Sequence, residues 1–390
     1  MSWKEITEVA RRLEFVKLAL QAQETMSRLC RKFGWSRKSG YKWKRRFEAE
    51  GARGLRDQTR RPDRSPRQTT SVWLTRIRRV RRQHRRWGSR KLRARLRQQY
   101  SGQRPPSART IGHWLKRMKL NVRGRRRSRR GPQLQPADLT KARWSNHVWT
   151  VDFKGWYRTQ DGRRVDPLTV RDMFSRYVLT IRLLADQKER PVRREFRRLF
   201  GENGYPKIIR VDNGSPFAST GAAGLSQLSA WWTALGIRVE FIAPGHPEQN
   251  GAHEQMHRIL KAETTRPTSR HRQAQQRRTT RWVGVYNAIR PHEGLQQRTP
   301  TEVYRVRPGR TRRLALSYPS SWAVRRVRSN GQIKWQGRKR SLGEAFVGYP
   351  VGLKRAGTDK CTVYFAGLLI GELWESDAGG MRPARYVRRP

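Results

Sequence analysis

The chain has 390 residues, with 89 Lys or Arg against 29 Asp or Glu, a net charge of +60. An excess this large predicts a polyanionic partner held in a strongly salt-dependent way, and the length gives room for two to four domains. No apolar run approaches transmembrane length and no signal peptide opens the chain, which sets aside a membrane protein and predicts a cytoplasmic location. Cys30 and Cys361 stand far apart with no CxxC, so free thiols are expected rather than a disulfide or structural zinc.

Residues 1–56 read as a helical unit. Ile6, Val9, Leu13 and Val16 recur at helical spacing. Ser27 is expected to cap a short helix carrying Leu29, Cys30 and Phe33, which Gly34 ends, and Ser36 to cap a basic helix with Tyr41, Trp43 and Phe47 as its apolar residues. That order is the helix-turn-helix plan, with Arg37, Lys38, Lys42, Lys44 and Arg45 turned toward DNA phosphates or a groove. The alternative is an ordinary three-helix bundle with a solvated basic face. Residues 57–70, rich in Arg, Asp, Pro, Thr and Ser, read as a linker. A second helix-turn-helix unit follows at 71–120, on the stripes Ile77/Val80/Trp87, Leu92/Leu96 and Ile111/Leu115/Met118. Residues 121–143 read as a basic linker whose Arg123–Arg130 run is suited to a phosphate backbone or a minor groove.

Residues 144–305 change character. Val148 to Phe153 alternates as a strand, with Trp149, Val151 and Phe153 on one face and Asp152 on the other. Pro167–Val170 and Tyr177–Ile181 continue an antiparallel meander, and a basic helix follows at about 190–200. Lys207 to Val211 is a second short apolar run, ended by Asp212 and an Asn213-Gly214 turn. A helix with Trp231 and Trp232 and a strand at 237–242 come next. Asp172 is read as charge balance for Arg171 and Arg176, with a fourth carboxylate of the site as the alternative. His246, His257 and His292 are read as structural, with nucleic-acid positioning as the alternative. Residues 314–376 look β-like, starting with a hairpin of Val324–Val327 against Ile333–Trp335 around Asn330-Gly331, and a small barrel is the economical closure. Residues 377–390 are expected to be disordered.

The stretch from Pro244 to Lys261 holds the ambiguity that matters. Pro and Gly lead into a helix that buries Ala252, Met256, Ile259 and Leu260 and turns Asn250, Glu254, Arg258 and Lys261 outward, taking about 100° per residue. His253-Glu254-Gln255-Met256-His257 matches the H-E-x-x-H of zinc peptidases, two metal-binding His and a Glu base. A catalytic zinc needs a third protein ligand; the extended pattern wants Gly at 260 and His at 263, where this chain has Leu260 and Glu263. The second reading takes Glu254 alone as a carboxylate for magnesium; the third is a solvated polar face. The upstream segments favour the second. Asp152 on a strand, Asp212 at a strand's end and Glu254 on a helix can converge; three such carboxylates repel, and a pair of divalent cations with hard oxygen ligands, magnesium or manganese, removes the penalty.

Trp149-Thr150-Val151-Asp152-Phe153, Val211 to Phe217 and Pro244 to Glu254 resemble the integrase-core transposases of bacterial insertion sequences, relatives of retroviral integrases. The resemblance extends to Asp172–Tyr177, to Arg290–Leu295 and to Thr299-Pro300. It implies a ribonuclease-H-like catalytic core of mixed sheet and flanking helices within a multidomain α+β chain, between N-terminal helix-turn-helix modules and a DNA-binding C-terminal β-barrel. It implies Asp152, Asp212 and Glu254 as catalytic triad and ligands of two magnesium (or manganese) ions, and Lys261 as a DNA contact; Arg258 and Asn250, on the same outward side, are expected to contact DNA with it. The expected partners are double-stranded DNA, both element ends and target, and further copies of the chain assembled on it in the nucleoid. The expected chemistry is cleavage to free 3′-hydroxyls and their transfer to target DNA. A zinc peptidase and a DNA-binding regulator without catalysis are the alternatives.

Overall fold

The computed structural model describes residues 3–59, 69–121, 139–243, 247–306, 314 and 316–384. The chain divides into two compact units, Met1–Thr69 and Thr70–Pro390. Most of the two expected linkers, including Arg123–Arg130, lies outside the described residues, as do His246 and the last six positions.

The first unit packs α1 (Trp3–Leu20), α2 (Met26–Phe33) and α3 (Arg37–Glu50) around Phe15, Val16, Leu29, Cys30, Phe33, Trp43 and Leu55. Gly34, at φ 70°, ends α2 by donating to the Arg31 and Cys30 carbonyls, and the Ser36 hydroxyl starts α3 by accepting the Ser39 N–H. Thr25, not Ser27, occupies the cap position of α2. Gly40 is where α3 crosses the other helices, since a Cβ there would lie 2.5 Å from Cys30 Sγ and 2.8 Å from Phe15 Cζ. Tyr41 is not part of the apolar face: it is exposed, while Trp43 is buried and Phe47 packs beside it.

In the second unit α4 (Ser71–Gln83), α5 (Ser89–Gln99) and α6 (Ala108–Arg117) enclose Ile77, Val80, Trp87, Leu92, Leu96, Ile111 and Leu115, the stripes read from the sequence. Arg81 is buried among them because its guanidinium donates to the Leu120 and Trp87 carbonyls.

The sheet that follows uses β1 (Val148–Phe153), β2 (Tyr157–Arg158), β3 (Arg164–Asp172), β4 (Val178–Leu184), β5 (Ile208–Val211) and β6 (Arg238–Phe241). β3 lies antiparallel between β1 and β4, β2 pairs with the start of β3, and β5 and β6 extend the sheet parallel to β1. Helices α7 (Glu189–Asn203) and α8 (Gln227–Ala234) cover one face through Phe196, Phe200 and Trp232 against Trp149, Val151 and Ile209. Helices α9 (Gly251–Thr264) and α10 (Arg272–Ala288) cover Val178 and Ile181 with Met256, Leu260, Trp282 and Tyr286. The predicted alternation of β1 thus sends Trp149 and Val151 into one core and leaves Thr150 and Asp152 for the α9 side. The short helix α11 (Pro300–Val303) closes this part, and Val285 and Ile289, at the end of α10, pack into the α4–α6 core.

The C-terminal strands are β7 (Ala323–Arg326), β8 (Gln332–Trp335), β9 (Arg338–Ser341), β10 (Pro350–Arg355), β11 (Lys360–Phe365), β12 (Leu368–Trp374) and β13 (Arg382–Pro383). They form an open antiparallel sheet, β13-β12-β11-β10-β7, and a separate β8–β9 hairpin; among the described residues no ladder closes the expected barrel. The Asn330-Gly331 turn exists, but β8 pairs with β9 while β7 pairs with β10, because a turn fixes a reversal and not the final partner. The core of this sheet is shared with Ala222, Leu225, Ala230 and Ala234 of the preceding domain. Part of the tail expected to be disordered is ordered: Arg382 pairs with Glu372 across strands and clasps Asp377 with two bonds of 2.8 Å.

Candidate active site

β1 and β5 are parallel neighbours with Thr150 opposite Arg210. Two residues further along each strand come Asp152 and Asp212, so both carboxylates sit at the same end of the sheet, on strands about 5 Å apart. Asp212 stands one residue beyond β5, where its Oδ1 accepts the Gly214 N–H at 3.2 Å. Glu254 lies in the first turn of α9, where the unpaired N–H groups favour an anion. Asp152 feels both of the other carboxylates. Burial first, then Asp212, and at smaller weight Glu254 push Asp152 up to about 7, against the opposing pull of the Phe153 N–H and Lys154. Among the described residues no three His, Cys, Asp or Glu side chains are drawn together as an ion-binding group. The chemistry of Asp152, Asp212 and Glu254, carboxylates offering only oxygen, is that of ligands for magnesium or manganese.

The two His of H-E-x-x-H do something else. His253 is fully buried and His257 nearly so. Thr169, the cross-strand partner of Asp152, places its Oγ1 2.6 Å from His253 Nε2 and 2.8 Å from His257 Nε2. Its single proton goes to the Asp152 carbonyl at 2.8 Å, so the oxygen accepts from both imidazoles, and both carry their proton on Nε2. His253 Nδ1 then accepts from the Thr150 hydroxyl at 2.9 Å. Burial is the main cause that keeps both rings neutral, holding His257 down at about 3 and His253 well below its usual value. The pair pins α9 to β1 and β3 and offers no converging lone pairs to a zinc ion. Glu263 is no third ligand either: it pairs with Arg290 at 3.3 Å and accepts the Trp282 indole N–H at 2.7 Å.

This arrangement corrects the buried face read from the sequence. Ala252 is exposed and Ile259 half-buried, and His253, Met256, His257, Leu260 and Thr264 point inward. The two Thr hydroxyls are what permit imidazoles in the interior. Asp172 is not a surface charge. It is fully buried at the end of β3, accepting the Asn146 N–H, the Ser175 N–H and the Ser175 hydroxyl, and burial raises its pKa. Its oxygens are spent on that turn. His292 is buried, and burial above all lowers it to about 3.

Arg258 and Lys261 are exposed on α9 and Asn250 is half-buried at its start. Lys154 was missed by sequence reading. Its ammonium lies within the fields of Lys261 and Asp152, and burial and Lys261 lower its pKa. Its position two residues after Asp152 on the same strand face was the available signal. In the first unit Arg37, Lys38, Lys42 and Arg45 are exposed along α3 together with Tyr41, 54% exposed and likewise missed. Lys44 is half-buried on the same helix and pairs with Glu48 at 3.9 Å.

Family models match almost the whole described chain. They are a helix-turn-helix domain (residues 11–64), a homeodomain-like domain (39–115), two integrase core domain models (142–247 and 235–300) and the C-terminal domain of IS481 family transposases (322–373). Among curated proteins, the chain is 31% identical over 182 residues to an uncharacterised 31.7 kDa protein of insertion element IS407 from Burkholderia multivorans, covering 46% of this chain and 62% of that one. It is 30% identical over 222 residues to a 39.2 kDa protein of insertion element IS476 from Xanthomonas euvesicatoria, covering 56% and 60%. The chain therefore spans about 60% of the length of the curated relatives it matches. Similar solved structures include the HTLV-2 integrase catalytic core with magnesium (15% identity, TM-score 0.34, 42% of this chain and 100% of that one). A simian T-cell lymphotropic virus intasome in complex with a PP2A regulatory subunit is another (14%, 0.36, 70% and 87%). With helix-turn-helix modules, an integrase core and the C-terminal domain of IS481 family transposases matched in one chain, this protein is similar to the transposases of bacterial insertion sequences.

Proposed function

We propose that this chain is a DNA transposase that binds the ends of its insertion sequence, cleaves a phosphodiester to free each 3′-hydroxyl and joins that hydroxyl to target DNA. Asp152, Asp212 and Glu254 would hold two magnesium or manganese ions. The observation that carries this reading is the register of β1 and β5, which brings Asp152 and Asp212 to the same end of adjacent parallel strands, with both Asp212 and Glu254 near enough to add to the burial that raises Asp152 to about 7. When bound, two divalent cations supply the positive charge that activates the attacking oxygen and stabilises the leaving one.

The chain's own residues supply the rest. Thr169 and its two imidazoles fix α9 against β1, so Glu254 and Asp152 keep one spacing through the cleavage and joining steps. Lys154 lies beside Asp152 with Lys261 close to it, and these two ammonium groups would neutralise phosphate oxygens of the bound strand. Arg258 and Asn250 flank that path on α9. Arg37, Lys38, Tyr41, Lys42 and Arg45 form the first unit's DNA face, and α4–α6 a second reading head carried on the end of α10. The exposed basic edge at Arg325 and Arg326 suits the C-terminal β unit to DNA. Two element ends must be held together for joining, which calls for several copies assembled on DNA.

Strand transfer on oligonucleotides copied from the element's ends, with magnesium, tests this. Asp152→Asn, Asp212→Asn and Glu254→Gln should each reduce joining at least 100-fold while leaving duplex binding intact, and retention of activity by all three would refute it. His253→Gln and His257→Gln separate the peptidase reading: they should weaken the fold, and no variant should affect a peptidase activity, because none is expected.

A further inference from the structure

Trp156 is 55% exposed, the most exposed large apolar side chain among the described residues. Leaving an indole in water carries a cost that a contact normally offsets. Trp144, also exposed, has one face against His147, with centroids 4.0 Å apart. Trp156 is flanked instead by cations: the guanidinium carbons of Arg164 and Arg158 lie 5.2 and 5.8 Å from its ring centroid. Neither arginine is loose. Arg164 makes two bonds, 2.8 and 2.9 Å, to the fully buried Asp166, and Arg158 donates to the Gly162 carbonyl at 2.7 Å.

The backbone around the ring is fixed too. The Lys154 N–H donates to the Pro167 carbonyl, and Gly155, at φ 82°, turns the chain out of β1 into the short β2. Beyond β2, the Gln160 and Asp161 N–H groups donate to the Ser269 and Arg270 carbonyls, which follow α9. The hairpin thus bridges the two elements that carry Asp152 and Glu254. Trp156 is four residues from Asp152, at most about 14 Å of chain.

An indole more than half exposed, with two anchored guanidiniums 5.2 and 5.8 Å from its ring centre, matches a nucleobase with its flanking phosphates: the base stacks on the exposed ring surface and the cations meet the backbone. A paired base in a duplex has both faces covered, so the base that fits is unpaired. We propose that Trp156, with Arg158 and Arg164, is a stacking platform for an unpaired nucleobase of the strand being processed next to Asp152. The platform rests on the DNA-processing reading above for its biological role, but its ligand is testable without chemistry.

The full-length chain in EDTA is titrated with a blunt duplex and with the same duplex bearing a single-stranded thymidine tail. Wild type should prefer the tailed probe; Trp156→Ala should lose about 5- to 100-fold on that probe and little on the blunt one, with Trp156→Phe in between. A tail carrying 5-iododeoxyuridine should photocrosslink to the peptide containing Trp156 in the wild type, a readout that stands even where a variant fails to fold. Glu254→Gln should keep both signals. Equal affinity of wild type for the two probes, an equal loss on both in Trp156→Ala, or a crosslink confined to other peptides would overturn the platform. If the tail preference holds while strand transfer is absent from the wild type, the platform stands and the transposase reading falls.

Discussion

The Nδ1 of His257 stands 3.5 Å from the Oδ2 of Asp152, while its Nε2–H is committed to Thr169 at 2.8 Å. A neutral imidazole in that tautomer turns a lone pair toward the carboxyl group, an arrangement that suits a protonated Asp152 or one whose charge a cation has taken up. The motif that resembles a zinc site therefore holds α9 against the strand that carries Asp152, and Thr169 is its keystone.

Replacing Thr169 with Val removes the acceptor shared by two buried imidazole N–H groups. Each stranded donor should cost about 1–3 kcal/mol, so the apparent melting temperature should drop by several degrees. Joining activity should fall more than DNA affinity, because α9 carries Glu254. Thr169→Ser, which keeps the hydroxyl, should retain most of both. A Val variant as stable as the Ser variant would show that the hydroxyl is not what holds the histidines.

The metal-free protein should carry a pH signature of Asp152. Its folded pKa of about 7 lies above its ordinary 3.8, so between those values the folded state binds more protons than the unfolded one. Stability from this group is full at low pH and lost as pH rises through about 7. His257 and His292, held at about 3, act with the opposite sign between pH 3 and 6.5, so the useful quantity is wild type minus Asp152→Asn. Urea unfolding in EDTA at pH 5 and pH 8 should show wild type losing on the order of a few kcal/mol relative to the Asn variant. Magnesium should restore the loss at pH 8 in wild type alone. An identical pH slope in both proteins would contradict the raised pKa.

Glu263 is the sole carboxylate paired with Arg290 in the salt bridges described, and the Arg290 side chain is only 6% exposed. Glu263→Gln leaves that guanidinium short of a counter-charge and should destabilise by about 3 kcal/mol, as breaking a buried pair does. Since Arg290 follows Ile289, which packs into the α4–α6 core, the loss should also speed proteolysis of the α4–α6 unit relative to the sheet. Unchanged proteolysis at lowered global stability would show the docking to be independent of the ion pair.

On α3, exposure separates residues that composition cannot. Lys42→Ala and Arg45→Ala should each weaken duplex binding and reduce the slope of log affinity against log salt by about 1. Lys44→Ala, which removes a group turned toward Glu48, should change the slope little. Tyr41→Ala should lower affinity with no change of slope, since it removes contact area and no charge. Fluorescence anisotropy across a salt series reads all four.

Short-range physics left a clear record in this sequence. Alternation along Val148–Phe153 set which side chains of β1 enter the Trp232 core and which side keeps Asp152, and the Asn-Gly turn set the end of β5 at Asp212. Ser36, Gly34 and the apolar stripes delimited the helical units, because caps and periodicity act within a few residues. The tertiary structure decided what depends on partners far apart in the chain. Spacing on α9 allowed His253 and His257 to face a metal or a core, and only the arrival of Thr150 and Thr169 from two strands settled it. The same holds for the choice of β10 over β8 as the partner of β7 and for the seating of α4–α6 on Val285 and Ile289. The nearness of Lys154 to Lys261 belongs with them. Sequence periodicity fixes a residue's face, whereas its neighbour across that face comes from another part of the chain and is chosen by packing.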